Sequence, residues 1–316
     1  MSKLNSEKMR AVRIHRYGGL DQLELETIET PTPGAGEVLV KVHAAAINPV
    51  DWKIREGYLA EMLPHSLPLT LGWDFSGEVA ALGEGVEHWR VGDAVYARPD
   101  ISKNGSYADY IVVSASEIAA KPKTLDWQHA AAVPLATLTA WQVLFDAAHI
   151  KEGDRVLIQA GAGGVGFSAI QLAKHAGATV YTTASTKNIE FLKNHGADEV
   201  IDYTKDDFTQ LKDLDIVFDT LGGEALEKSW ASLKTGGRLV SIVEPPSEEL
   251  AEKHGVEASF CFVQPNAEQL TKIAELIDSG VMKVEIDSVY SLEDTVKAME
   301  KSQTGHARGK IVIQVS

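Results

Sequence analysis

Short runs of apolar or alternating residues at 11–14, 38–44, 77–81, 94–97 and 107–113 are separated by turn clusters such as PTPGAG and GEG. That pattern predicts many short strands, and hence a barrel or sandwich, before about Asp126. Beyond Asp126 the period changes. A helical stretch over 128–148 leads into strands at 155–160, 178–183, 199–202, 214–219 and 238–243, alternating with helices at 164–176, 187–195 and 224–233. Strands that alternate with helices predict a parallel sheet wound on both faces. Residues 267–277 have the spacing of an amphipathic helix, and short strands follow, the last within GKIVIQV. They read as a return to the first domain. The expected fold class is therefore α/β: a β-rich domain built from residues 1–125 and 265–316, with a doubly wound parallel-sheet domain, 126–264, inserted between its parts.

The first strand of the inserted domain runs into QAGAGGVG, where Gly161, Gly163 and Gly166 stand at the spacing of a dinucleotide-binding turn. The strand before and the helix after give this motif its meaning, because a tight turn, a close backbone approach to pyrophosphate and helix–strand packing each need a residue without a side chain. The amides of Gly163, Gly164, Val165 and Gly166 would then face the phosphates, with the helix dipole behind them. The plain alternative is a linker between strand and helix. An NAD site calls for Asp or Glu about 20 residues beyond the turn, and 185 − 166 = 19 falls on Ser185. No acid occurs between Thr179 and Asn188. Ser185, Thr186 and Lys187 offer two hydroxyls and a cation instead, which suits a 2′-phosphate and predicts NADP(H). Against this stands the reading of Lys187 as an exposed lysine at the start of a helix.

With 316 residues the chain is long enough for two domains, and 44% apolar with 24% charged residues is ordinary for a soluble globular protein. The net charge of −15 argues against nucleic acid or an anionic membrane as partner. No run of 18 apolar residues and no signal-type segment is visible, so a cytoplasmic protein is expected. A single cysteine, Cys261, rules out an intrachain disulfide and a cysteine-based zinc cluster, and its setting in SFCFV predicts a small buried hydrophobe. The ten histidines show no metal-type spacing, and no metal ligand is expected.

INPVDWK at 47–53, LGWDFSGEV at 71–79, VGDAVYA at 91–97, QAGAGGVG at 159–166 and GHARGKIV at 305–312 together resemble the medium-chain dehydrogenase/reductase superfamily. The resemblance covers nearly the whole chain and implies a GroES-like β-barrel domain plus a Rossmann domain. Zinc-dependent members place a Cys in the segment equivalent to NPVD and a His in the one equivalent to Gly72-Trp73-Asp74. Here those positions hold Asn48 and Trp73. The chain is therefore similar to the zinc-free branch of quinone oxidoreductases and NADPH-dependent enone (alkenal) reductases. That resemblance implies cofactor contacts from Asn48 and Lys53, with Lys53 near the nicotinamide, and from Ser185, Thr186, Lys187 and Tyr203 at the 2′-phosphate. It places Leu221, Val243 and Phe262 along the nicotinamide side, Thr139 beneath the ring, and His306 with Ala307 closing the site. Two of these have plain alternatives: Asn48 as the start of a turn before proline, and Tyr203 as a strand-end aromatic shielding the sheet. Relatives of this kind commonly form homodimers through the edge of the nucleotide sheet, which 238–243 is apolar enough to approach.

Chemistry without a metal must rest largely on hydride transfer between well-placed partners, and reduction of an activated C=C bond fits. Negative charge on the resulting enolate needs a donor: Lys53, Tyr58, a backbone amide, a ribose hydroxyl or water. Asp51 is expected to anchor its loop or Lys53, since a nearby lysine opposes the raised pKa that a proton donor requires. Lys53 and Arg55 have an alternative as surface charges on a helix beginning at Asp51. Trp52, Tyr58 and Trp73 make either an apolar pocket for an enone, enal or quinone or part of the core. Quinone reduction is the second functional reading, and an NADPH-binding structural or regulatory protein with little turnover is the third.

Overall fold

The structure is a computed structural model that describes residues 8–316. One compact unit holds the described residues up to Leu135 together with Gln264–Ser279 and Val284–Ser316; the other holds Ala136–Val263 and Gly280–Lys283. Among the described residues no helix is long and apolar enough to cross a membrane.

In the second unit, strands Arg155–Ile158, Thr179–Ala184, Glu199–Asp202, Leu214–Asp219, Leu233–Ser241 and Glu257–Phe260 form one sheet. Every pair is parallel. Taken in chain order, their positions across the sheet run 3-2-1-4-5-6, so the order reverses beside the first strand. Such a reversal opens a crevice at the carboxyl ends of the strands, where open α/β sheets take ligands. The runs VLI and LDIVFD are buried throughout because both faces of the sheet are covered. Helix Gly164–His175 crosses from the first strand to the second and buries Phe167, Ala169, Ile170, Leu172 and Ala173.

In the first unit, strand Glu37–Ile47 is the trunk of a seven-stranded sheet. Phe75–Leu82 pairs with one of its edges; the other is shared by Tyr110–Ser114 along residues 37–41 and by Lys310–Gln314 along residues 44–47. Strand Lys8–Ile14 pairs with Glu24–Glu29 and Leu69–Thr70 in a second, three-stranded sheet.

Several expected elements differ. Residues 128–148 are not one helix: Trp127–Ala131 stops, Pro134–Trp141 starts afresh, and a wide turn covers Gln142–Ala147. Pro134 is the cause, because proline has no N–H to donate and fits only the first turn of a helix. The helix expected at Asp51 begins at Pro49. Residues 238–241 lie in strand Leu233–Ser241, one in from the edge, since Glu257–Phe260 pairs outside it, and 242–243 follow its end. The returning C-terminal segment contains a parallel crossover, strand Ile286–Ser291, helix Thr295–Gln303 and strand Lys310–Gln314, where only short strands were expected.

Candidate functional site

The three glycines divide by what surrounds them. A Cβ at Gly161 would overlap Thr182 Oγ1, and one at Gly166 would overlap the Ala160 carbonyl oxygen, so both are required by packing. A Cβ at Gly163 would have only the Ala160 oxygen nearby, at 3.5 Å, so packing does not explain this glycine. Gly163 is the N-cap of helix Gly164–His175 and has no side chain to accept from the first-turn amides. Those amides are left without a side-chain cap at a helix N-terminus, the kind of place where anions bind. Thr183 Oγ1 accepts from the Ala160 N–H at 3.0 Å and the Gly161 N–H donates to Thr183 O at 3.0 Å, which fixes the turn to the second strand.

Ser185, Thr186 and Lys187 follow the end of that second strand, and Thr186 and Lys187 are exposed. Ser185 Oγ accepts from Asn188 Nδ2 at 3.4 Å. Thr186 Oγ1, however, donates to Asp202 Oδ2. Asp202 comes from the neighbouring strand and also accepts from Thr204 Oγ1 at 2.6 Å and pairs with Lys205 at 3.3 Å. The Thr186 hydroxyl, with help from Thr204, holds the Asp202 carboxyl well below the usual carboxylate range. An acid thus does reach this corner, and it takes one of the two hydroxyls counted toward a phosphate. Tyr203 is 56% exposed, and its backbone N–H on Ala184 O at 3.2 Å sets it beside Ser185.

At the ends of the next two strands, the fully buried Asp219 accepts from the amides of Leu221 (3.1 Å) and Gly222 (2.9 Å) and from Ser241 Oγ (2.6 Å). Ser241 Oγ accepts in turn from Val243 N at 3.2 Å. This knot holds the exposed Leu221 and the partly buried Val243 on neighbouring loops. Cys261 donates its N–H to Ser241 O at 2.9 Å, and Phe262 follows it. Cys261 is only partly buried, short of the expected core position, and burial raises its thiol pKa. Thr139 lies buried in helix Pro134–Trp141, which meets the glycine-turn helix through Thr137 Oγ1 and Ser168 Oγ at 3.1 Å.

The remaining site candidates, Asn48, Lys53, Tyr58, His306 and Ala307, belong to the first unit. Asn48 caps helix Pro49–Glu56. It is buried, its Oδ1 accepts from Lys310 Nζ, and its Nδ2 donates to Asp74 Oδ2 at 2.8 Å, so its side chain serves the interior of this unit. Asp74 Oδ2 accepts also from Lys310 Nζ at 3.1 Å, and Oδ1 accepts from Leu135 N at 2.6 Å. Burial pushes the Asp74 carboxyl up, against the pull of Lys310. Asp51 Oδ2 accepts from Asn48 N at 2.7 Å and Tyr107 Oη at 2.5 Å, while Oδ1 is buried without a partner. Asp51 therefore anchors the loop, as expected. The lysine opposing its protonation is Lys310, and burial still pushes its carboxyl up to about 7.

That shift has a sign. The folded pKa lies above the unfolded value of about 3.9, so the folded chain holds the proton more tightly between about pH 4 and 7. Stability falls as pH rises through that window, by at most about 1.4 kcal/mol per pH unit. Asp51→Asn keeps an oxygen for both donors and is expected to flatten this slope, measured by urea unfolding at pH 5, 6, 7 and 8. An unchanged slope would remove Asp51 as its source.

Lys53 is half-buried, with Nζ 5.9 Å from the Trp52 ring centre, and burial alone lowers its pKa. Tyr58, 69% exposed, meets Trp52 edge-on at 6.4 Å. Arg55 is no surface charge: it is fully buried, donating to Gly18 O at 3.1 Å and pairing with Glu56. Trp73 is likewise core, fully buried with Nε1 on Lys103 O at 3.2 Å, which leaves Trp52 and Tyr58 as the accessible aromatic pair. His306 and Ala307 sit on the turn after helix Thr295–Gln303, with His306 exposed.

Sequence reasoning missed Asp202, Asp219, Asp74, Tyr107 and Lys310 as members of these clusters. Lys310 had a signal: a lysine opening the apolar run IVIQV puts charge where a buried strand begins.

Comparison with known proteins identifies the family. The family described as "Alcohol dehydrogenase GroES-like domain" matches residues 34–123, and the one described as "Zinc-binding dehydrogenase" matches residues 195–313. The tomato (Solanum lycopersicum) 2-methylene-furan-3-one reductase is 39% identical over 97% of this chain and 79% of its own length. The Arabidopsis thaliana chloroplastic NADPH-dependent alkenal/one oxidoreductase is 37% identical over 97% of this chain and 80% of its own. Among solved structures, the quinone oxidoreductase from Coxiella burnetii superposes with a TM-score of 0.92 at 38% identity, covering 98% of this chain and all of its own.

Proposed function

Because the chain belongs to the medium-chain dehydrogenase/reductase family, among oxidoreductases that use a nicotinamide dinucleotide, we propose that it reduces the activated C=C bond of α,β-unsaturated ketones or aldehydes with NADPH and without zinc. What carries the reading is Gly163: a glycine that packing does not demand, at the head of a helix with uncapped amides, beside a strand reversal. Pyrophosphate fits that cradle. Ser185 and the exposed Lys187 favour the 2′-phosphate, and Asp202 is no free acceptor for a ribose 2′-hydroxyl, because Thr186, Thr204 and Lys205 already occupy its oxygens. The names of the tomato and Arabidopsis relatives point to the same substrate class.

When bound, the cofactor supplies the hydride that goes to the β-carbon of the conjugated substrate. Lys53 then offers an ammonium, poorly solvated and backed by Trp52, to the oxygen on which enolate charge develops, and the α-carbon takes its proton from water to complete the reduction. Trp52 and Tyr58 offer the substrate aromatic surface. Lys53→Met is expected to lower kcat/KM for an enone about 10- to 100-fold, the worth of one charged hydrogen bond. An unchanged value would take Lys53 out of the reaction.

The Coxiella burnetii structure favours a second reading, reduction of quinones at the same site. Purified protein with NADPH or NADH, tested against a panel of enones, enals and quinones, decides. Enone turnover with NADPH is the expected outcome; turnover of quinones alone supports the second reading. Melting-temperature stabilisation by NADPH with no acceptor reduced would mark a binding protein with little turnover.

A further inference from the structure

Two carboxylates, Asp51 and Asp74, are fully buried in the first unit, and buried carboxylates need positive charge or hydrogen bonds nearby. One matching family has zinc in its description. The donors present do not suit a divalent ion. Asn48 Oδ1 and Asp74 Oδ2 both face the Lys310 ammonium, Asp74 Oδ1 is taken by Leu135 N, and Asp51 Oδ2 by Asn48 N and Tyr107 Oη. A metal approaching these oxygens would meet a fixed positive charge. No His or Cys belongs to the cluster, and the chain's one cysteine is in the other unit. Among the described residues, the metal-type group of His, Asp, Glu or Cys is His15, Glu24 and Glu26, which lies elsewhere, just past strand Lys8–Ile14 and on strand Glu24–Glu29. Its His15 is already paired with Glu26.

We infer that Lys310 is the resident cation of this centre, standing where a metal would otherwise be needed, and that it acts as a positioning residue for the helix bearing Trp52 and Lys53. The chain of contacts is continuous. Lys310 Nζ holds Asp74 and Asn48; the Asn48 backbone N–H holds Asp51, which Tyr107 grips from the other side; Asp51 and Asn48 together fix the first turn of helix Pro49–Glu56. A second buried cation, Arg98, lies within electrostatic reach of both carboxyls. Gly309, immediately before Lys310, has φ +79°, and a Cβ there would overlap the Glu285 carbonyl oxygen, so the approach of Lys310 is fixed by the backbone. This inference deepens the proposed zinc-free reduction and rests on it for the meaning of the Lys53 helix.

The test uses the full chain in three forms: wild type, Lys310→Ala, and Lys310→Arg as the conservative variant. Zinc is measured by mass spectrometry after equilibration with excess zinc and gel filtration, melting is followed without substrate, and enone kinetics are measured with and without methylammonium. Wild type is expected to retain no stoichiometric zinc. Lys310→Ala should melt about 10 °C lower, as loss of one partner of a buried ion pair implies in a domain of this size. Its kcat should fall while KM for NADPH stays within about twofold, because the cofactor cradle is untouched. Methylammonium, which fits the truncated side chain, should restore part of both losses; tetramethylammonium, which has no N–H, should restore neither. Lys310→Arg should retain more of each than Lys310→Ala. Should Lys310→Ala not fold, the charge-neutral pair Lys310→Met with Asp74→Asn is expected to fold and still lose kcat. One zinc per wild-type chain, an alanine variant that melts and turns over like wild type, or equal rescue by the two ammonium ions would each overturn the inference. Zinc content and melting need no substrate, so they judge Lys310 even if no enone is reduced.

Discussion

Gly163→Val is expected to bind NADPH about 100-fold more weakly than wild type while melting within a few degrees of it, since two or so charged hydrogen bonds are lost and no core contact is disturbed. The side chain would project into the space that the uncapped amides of helix Gly164–His175 leave for an anion. Gly166→Ala is the control. There the new Cβ overlaps the Ala160 carbonyl and crowds Gly161 Cα at 2.8 Å, so strand and helix must part and melting falls together with binding. Titration of NADPH by fluorescence, paired with thermal melts of both variants, separates the two glycines. Equal Kd values for Gly163→Val and wild type would mean that the turn does not cradle a phosphate.

Lys187→Glu is expected to raise KM for NADPH at least about 100-fold and to change KM for NADH little, because reversing the charge replaces an attraction for the 2′-phosphate by repulsion. The effect should shrink with added salt, given that Lys187 is exposed and its field is screened within about 8 Å at physiological ionic strength. Asp202→Asn sharpens the comparison. It removes a negative charge next to the same corner and relaxes its hold on Thr186, so NADPH should bind more tightly in that variant. If Lys187→Glu changes the use of both cofactors alike, the 2′-phosphate is read elsewhere and the NADPH assignment loses its main support.

How far these sites could be read from the sequence depends on how local their cause is. The glycine turn is written in six consecutive residues between a strand and a helix, and the structure puts it at the strand reversal. The βα alternation is local too and it survives, although the strand read at 238–243 begins at Leu233 and helix Glu248–His254 with strand Glu257–Phe260 was not expected. What failed to show is long-range or polar. Asp202 is sixteen residues from Thr186 in sequence (202 − 186) and reaches it only because parallel strands set their ends side by side. Strand Glu24–Glu29 reads ELETIE and lies with three glutamates on a largely exposed edge, so its pattern lacks the apolar alternation of a core strand. Trp73 carries the same letter whether it lines a pocket or fills a core; burial by surrounding strands decided for the core. Lys310 gathers Asn48 and Asp74 from the far end of the chain, and no local pattern announces such a cluster.

The trunk strand Glu37–Ile47 has one edge divided between Tyr110–Ser114 and Lys310–Gln314, and Ile47 pairs with Ile311, 264 positions away (311 − 47). During synthesis the second unit is therefore complete, apart from Gly280–Lys283, while the first still lacks its last two strands and Lys310. Contacts this distant form late, after the cost of closing so long a loop. A nascent chain thus carries an open strand edge over residues 44–47, and an Asp74 carboxylate without its Lys310 partner, until residues 310–314 arrive, and that interval is when it is most exposed to mispairing with another copy.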